Sequence, residues 1–446
     1  MSSLTQYLNL WRDHKDLVEA NAPAPLNALR PAAFEALQGM EMHGERLNET
    51  ISKVLAPDYG LNIARIPMDG DPAASFRCDL PRLAAHPLYI LNDSFLGENI
   101  SSSENIDSLT HSGVEAMSLA EAARRYPEYV TAHYGHLADF ENPVVALDTL
   151  LCQDGLFLRI PKGVRLEKPL QLINVLNSLV PFMAVRRLLI VVEEEAEGEL
   201  LVCDHTQVRD VELCSLEVVE IFAAKNSRFE YYSLEESTEK TGRLSALYLR
   251  QEAGSRVLID GVTLYNGVTR NEYYCRYAGQ GASLRLLGMA IEDGDRRAEN
   301  FSRIEHDVEG CHTDELFKYV IDDRAVGSFE GRITVAPGAD RTEAFQSNRN
   351  LVGSNEARMF SKPELVINAD DVKCSHGSAT GQLDELQLFY MRTRGLSEEE
   401  ARLLLKQAFM ADVIDAVGLP LLRDRLRHLV EVRFAGGCAS CSSCLS

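Results

Sequence analysis

The middle of the chain alternates between apolar positions and intervening ones. Leu156, Leu158 and Ile160 are separated by Phe157 and Arg159; Leu284 and Leu286 flank Arg285; Ile333 and Val335 flank Thr334; Leu365 and Ile367 flank Val366. A period of two marks a strand, because successive side chains point to opposite faces. Between these runs stand short stretches rich in small residues: "AEGELLV", "AGSRVLI", "QGASLRL", "AVGSFEG", "PGADRTE", "GSNEARM" and "NADDVKC". Late in the region they recur about every 12 to 16 residues, earlier at nearly double that spacing. Short strands turned regularly by small residues predict a β-solenoid or a sandwich. Two-residue hairpin signals are scarce, Asn266-Gly267 being the main candidate, which favours the solenoid. The pattern therefore predicts a mainly β chain, with a solenoid over residues 141–377. Its last coil would leave an unpaired edge, to be covered or joined to another chain.

The flanks change period. Residues 1–140 read as mainly helical: "LTQYLNLWRDHKDLVEA" has helical apolar spacing at Leu4, Tyr7, Leu8, Trp11 and Leu17, and "ANAPAPL" should end that helix. "SLAEAARRYPEYVTAHYGHL" predicts another helix broken near Pro127, with His133 and His136 about one turn apart as surface residues. Residues 378–434 predict a C-terminal helical domain. A helix closed by Gly395 is followed by one that Ser397 and Glu400 open with a capping box, its face marked by Leu404, Ala408 and Ala411. Gly418 ends it and Pro420 opens a third. Residues 435–446 read as a flexible tail.

Composition narrows the function classes. The chain has 446 residues, 45% of them hydrophobic and 25% charged, as in ordinary globular proteins. Its 67 acidic and 45 basic residues give a net charge of −22, which disfavours nucleic acid and anionic lipid. The start lacks the apolar core of a signal peptide, and the apolar run Leu188–Val192 is far too short to span a bilayer. Cys78, Cys152, Cys203, Cys214, Cys275 and Cys311 are scattered without a disulfide framework, so a reducing cytoplasm is expected. The chain holds no G-x-x-x-x-G-K-[ST], H-E-x-x-H or G-x-S-x-G motif.

Two clusters carry candidate chemistry. In "KCSHGSAT", Cys374 and His376 alternate on what reads as a strand end, so both face one way. Thiolate and imidazole suit iron, zinc or an iron–sulphur cluster, while a buried Cys beside a hydrogen-bonded His is the plainer reading. In the tail "GGCASCSSCLS", Cys438, Cys441 and Cys444 form a C-x₂-C-x₂-C run, a spacing that lets thiolates converge on one metal or cluster; the alternative is a mobile thiol tail with no fixed role.

The segment from "GSFEGRITVAPGADRTEAFQSNRNLVGSNEARMFSKPELVINADDVKCSHGSATG" through "LDELQLFYMRTRGLSEEEARLLLKQAF" resembles the SufB/SufD family of the SUF iron–sulphur cluster assembly machinery, on its SufD side. "DGLFLRIPKGVRLEKPLQLINV", "YLRQEAGSRVLIDGVTLYNGVTRNE" and "YGLNIARIP" extend the likeness upstream, so it covers most of the chain. The resemblance implies an N-terminal helical region, a right-handed parallel β-helix over residues 141–377 and a C-terminal helical domain. It further implies a non-enzymatic scaffold that pairs with SufB through the β-helix and carries the SufC ATPase on its C-terminal helices. A transient iron–sulphur cluster would form at the subunit interface, with His376 contributing and Cys374 beside it. SufB has a Glu-His-Glu arrangement at the motif and an upstream cysteine; here Cys374, Ser375 and Gly377 surround the histidine, and "SKPELVI" has no thiol, which favours SufD. A homodimer through the same end is expected if the partner is absent.

A β-helix enzyme acting on carbohydrate is the competing reading, since "VINADDVK" and "IEDGDRRAEN" supply carboxylates for acid–base work. Release of unsaturated products from polyuronides would favour it.

Overall fold

A computed structural model describes residues 4–43, 47–65, 85–96 and 113–437. From Gly155 to Gly381 the chain alternates between two sheets, and each strand from Phe182–Val192 to Thr342–Val352 pairs in parallel with the strand two before and the strand two after it. The described residues form one ten-stranded and one nine-stranded sheet, stacked as a parallel β-solenoid. Ser283 lies opposite His312 and Val268 opposite Arg297, a repeat of 29 residues in each case. Each coil holds two strands and two corners, which explains why turn signals recur at half that interval. At several corners one residue takes the left-handed conformation, at Gly254 and Gly281 with no Cβ to oppose it and at Glu195, Asn226, Asp323 and Arg341 in spite of one.

Asn266-Gly267 is such a corner, not a hairpin. The strands on either side, Arg256–Tyr265 and Val268–Tyr277, belong to different sheets. The Asn266 amide is buried and donates to Thr269 Oγ1 and to the Arg297 carbonyl of the next coil. A Cβ at Gly267 would stand 2.3 Å from the Glu239 carbonyl oxygen. The dipeptide is selected by contact with adjacent coils, which a local turn rule does not include.

Alternation places one row of each strand between the sheets. Leu156, Leu158 and Ile160 enter the interior with Leu284, Leu286 and Ile333, while Phe157 points the other way. Each fully buried Leu or Ile contributes roughly 1.5–3 kcal/mol. The outer rows are covered by helices. N-terminal helices, including Thr5–Asn21, Arg30–Met42 and Pro143–Leu151, pack on the nine-stranded sheet through Leu8, Trp11, Leu147, Val185 and Leu216. In the first helix Val18 is buried while Leu17 is exposed, one step around from the buried stripe.

The chain leaves the last strand at Gly381, past residue 377, and three helices follow: Glu385–Thr393, Glu398–Asp415 and Pro420–Phe434. The second and third fold back over the ten-stranded sheet, where Met410, Val413, Leu422 and Leu429 meet Tyr232, Leu258 and Met289. The Ser397–Glu400 capping box is present. The buried face of that helix is Ala401, Met410, Val413 and Ile414, whereas Leu404 is 43% exposed and Ala408 points to solvent, because the sheet lies on the other side.

The two ends of the solenoid differ. At the first coil, short antiparallel strands, Ser94–Phe95 and Glu115–Ser118, close the sheets. At the last coil, Arg358–Ile367 and Val372–Gly381 are ten residues each, parallel and, among the described residues, paired on one side alone.

Candidate functional site

Cys374 and His376 lie inside the strand Val372–Gly381, which continues through "CSHG" without giving way to a helix. Cys374 stacks over Ala344 and His376 over Gln346, both on buried rows of the strand below. The two residues therefore share the inward-facing row of the last coil, as alternation requires. Cys374 is half-buried against the interior cluster, and burial pushes its thiol pKa up. His376 is exposed, and among the described residues no strand pairs beyond its own. Ser361 and Ser378 hydrogen-bond across the interior at 2.7 Å, so both sheets line this opening.

Backbone N–H and C=O groups along an unpaired strand are a ready template for another strand. Exposed Phe345, Phe360 and Ile367 surround this edge with apolar side chains. Ion pairs between neighbouring strands, Arg332–Glu364 at 2.9 Å, Lys362–Glu330 at 2.6 Å and Lys373–Glu343 at 2.8 Å, hold its rim in register. The sequence reading missed the amides beneath His376. "FQSNRN" alternates with Gln346, Asn348 and Asn350 on the inward row and Phe345 and Arg349 outside, reversing the usual polarity. That reversal was visible as a pattern, but the facing of the strand was not.

Behind Gln346, the buried Glu315 accepts hydrogen bonds from Gln346 Nε2 at 2.6 Å and from the Ser302 hydroxyl. Burial pushes its carboxyl up to about 7, although both hydrogen bonds act in the opposite direction. Among the described residues no three His, Cys, Asp or Glu side chains gather as a metal site. At the open end this chain supplies a two-residue Cys/His set, and a cluster there would need further ligands.

Other sequence candidates are dispersed. His133 stacks on Tyr129 with ring centroids 4.6 Å apart, and His136 is exposed. Among the described residues, Cys152, Cys203, Cys214, Cys275, Cys311 and Cys374 form no disulfide. Cys438, Cys441 and Cys444, like Cys78, lie outside the described residues. Three of the four carboxylates of "IEDGDRRAEN" are held by arginines, Asp293 by Arg433, Asp295 by Arg324 at 2.7 Å, and Glu299 by Arg297 at 2.7 Å and Arg270 at 2.8 Å, while Glu292 is buried. No helix among the described residues is long and apolar enough to cross a membrane.

Two family models match in tandem. "SufBD protein N-terminal region" covers residues 1–172, and "SUF system FeS cluster assembly, SufBD core domain" covers residues 174–409. An iron–sulphur cluster assembly SufBD family protein of Synechocystis is 28% identical over 416 residues, covering 91% of this chain and 90% of its own. The iron–sulphur cluster assembly protein SufD of Bacillus subtilis is 26% identical over 328 residues, covering 72% and 74%. SufD of Escherichia coli is 31% identical over 174 residues, covering 39% and 41%. With both models matching over most of its length on a stacked-coil body, this chain belongs to the SufBD family of SUF-system iron–sulphur cluster assembly proteins.

Proposed function

We propose that the chain is a SufD-type scaffold subunit, not an enzyme, that pairs with a SufB-type subunit through the open end of its solenoid. The observation that carries this reading is the asymmetry of the two ends. One is closed by short antiparallel strands; the other presents two bare ten-residue strands with Cys374 and His376 on their inward side. A partner with matching coils would continue both sheets and enclose the imidazole. Desolvation there would strengthen His376 as a ligand for iron or sulphide-bound iron in transit. Cys374 supplies a second soft donor once deprotonated, which its raised pKa makes conditional on a metal.

The C-terminal helices are the proposed seat of a SufC-type ATPase. Leu386, Phe389 and Tyr390 on the helix Glu385–Thr393 are exposed, while Leu388 of the same helix is buried. Nucleotide hydrolysis would come from that partner. The three tail cysteines are proposed as an auxiliary thiol set that could receive metal.

Co-expression with SufB and SufC homologues is expected to give a stable complex that assembles clusters anaerobically. His376→Ala should lower iron and sulphide retained per complex while leaving assembly of the subunits unchanged. Recovery of this chain as a strict monomer that binds neither homologue would overturn the scaffold reading; a homodimer that exchanges for SufB would support it.

A further inference from the structure

Gln346, Asn348 and Asn350 sit on three successive inward positions of the strand beneath the last coil, all buried. One coil further in, the same rows hold Glu315, Phe317 and Tyr319, and then Leu286, Gly288 and Ala290. The interior thus turns polar just where the solenoid opens. Asn348 Nδ2 donates to the Phe317 carbonyl at 3.2 Å, and Asn350 Nδ2 donates to Thr380 Oγ1 at 3.0 Å. Gln346 Nε2 donates to Glu315 Oε2 at 2.6 Å, and the other oxygen of that carboxylate accepts the Ser302 hydroxyl. This bond decides which end of the amide faces inward. Gln346 Oε1 remains a buried acceptor with no hydrogen-bond partner among the described residues, on a side chain 3% exposed.

Leaving a buried acceptor open costs roughly 1–3 kcal/mol, and folded proteins seldom do so without a purpose. The residue stacked over Gln346 in register is His376. Neighbouring strands are about 4.8 Å apart, a separation across which an imidazole N–H reaches an amide oxygen. Space for the amide is itself built in: a Cβ on Gly331 would stand 2.4 Å from Gln346 Nε2 and 2.6 Å from the Phe329 ring.

We infer that Gln346 is a positioning residue for His376: once a neighbouring subunit covers the open coil, Gln346 Oε1 accepts the N–H of one imidazole nitrogen and leaves the lone pair of the other free. The inference rests on the reading of His376 as a contributor to cluster assembly. An imidazole that ligates a metal almost always donates its second N–H to a fixed acceptor, which sets both tautomer and ring orientation. Ser302 and Glu315 hold the amide, and the amide holds the ring. None of the three need touch iron.

The test uses the reconstituted complex with this chain alone labelled with [¹⁵N]histidine. Solid-state NMR reads the ring nitrogens of His376, assigned by their loss in His376→Gln. Wild type is expected to show one neutral tautomer at about pH 8.5, above the usual imidazole pKa. Gln346→Leu and the flexible Gln346→Met should each give a tautomer mixture, with iron and sulphide per complex falling roughly 10–100-fold. In a His376→Ala background the same replacements should cause no further fall, whereas a merely structural role would add its own. Unchanged ring signals in both Gln346 variants, or an additive loss in the His376→Ala background, would overturn the inference. If His376→Ala alone leaves cluster yield intact, the underlying functional reading fails, and the tautomer comparison still decides the positioning role.

Discussion

Arg433, near the end of the last helix, is ion-paired with Asp293 at a corner of the solenoid. The same guanidinium donates from Nε to the Leu264 carbonyl at 2.7 Å and from Nη2 to the Ile291 carbonyl at 3.1 Å, and lies 4.7 Å from the Tyr265 ring centre. Burial raises the Asp293 pKa, but the Arg433 hydrogen bond and charge outweigh it and hold the carboxyl below its usual range. One side chain therefore clasps the C-terminal helices to two successive coils.

Arg433→Met keeps the apolar stem and removes the clasp. The expected cost is roughly 2–3 kcal/mol, less than for a fully buried pair because Asp293 retains Arg296. Amide exchange over residues 420–434 should accelerate roughly 30–160-fold while the solenoid strands keep their protection. Uniform acceleration, or none, would show that the clasp is not what secures the helices.

Asp260 lies between Leu258 and Val262 on the outer row under those helices, and neither of its carboxylate oxygens has a hydrogen-bond partner among the described residues. Burial pushes its pKa up to about 7, with Arg285 opposing. In the unfolded chain the group ionises near pH 3.9. The folded state binds the extra proton between these values, so its contribution to stability is full below about pH 4 and is lost as pH rises to about 7. Asp260→Asn should remove this part of the profile. The gain of the variant over wild type, measured by urea denaturation, should grow by a few kcal/mol from about pH 4.5 to about pH 8. A difference independent of pH would refute the assignment.

Glu220 and Arg187 form a buried junction between the nine-stranded sheet and the N-terminal region. Arg187 donates to Glu220 at 2.7 Å and to Asp148 at 2.9 Å, all three side chains fully buried. Glu220 also accepts the backbone N–H of Gly135 at 2.8 Å and of Leu137 at 2.9 Å. Glu220→Ala leaves Arg187 with Asp148 alone and strands the amides of Gly135, Leu137 and Ala138, so a loss of about 3–5 kcal/mol is expected. The urea midpoint should fall with an unchanged slope, and a shift below about 1 kcal/mol would contradict the role given to this junction.

Phe360 and Ile367 are 56% and 43% exposed on the strand Arg358–Ile367 at the open edge. Replacing both by Glu places charge where a partner strand would pack, at little cost to the isolated chain. Sedimentation velocity should show loss of association through this end, with an unchanged melting curve. Full retention of the partner would move the interface elsewhere.

Local rules were enough for the elements. The period of two in "GLFLRI" and "ASLRL", the small-residue corners and the Ser397–Glu400 box depend on backbone geometry within a few residues, and each appears in the fold. They were not enough for facing. Leu404 and Ala408 formed a plausible apolar stripe, yet the sheet meets the stripe of Met410 and Val413, because an 18-residue helix offers more than one such line and the surface it meets is distant in sequence. Asn266-Gly267 looked like a hairpin for the same reason: its partners, Glu239 and Arg297, belong to neighbouring coils.

The sequence by itself determined that strands would stack, where they would turn, and that Cys374 and His376 would face one way, since alternation is a property of the extended backbone. Only the tertiary structure decided that this row is the last one, open to solvent, with Gln346 beneath the imidazole. Burial and register come from contacts about 30 residues apart, and no local pattern encodes which coil has nothing above it.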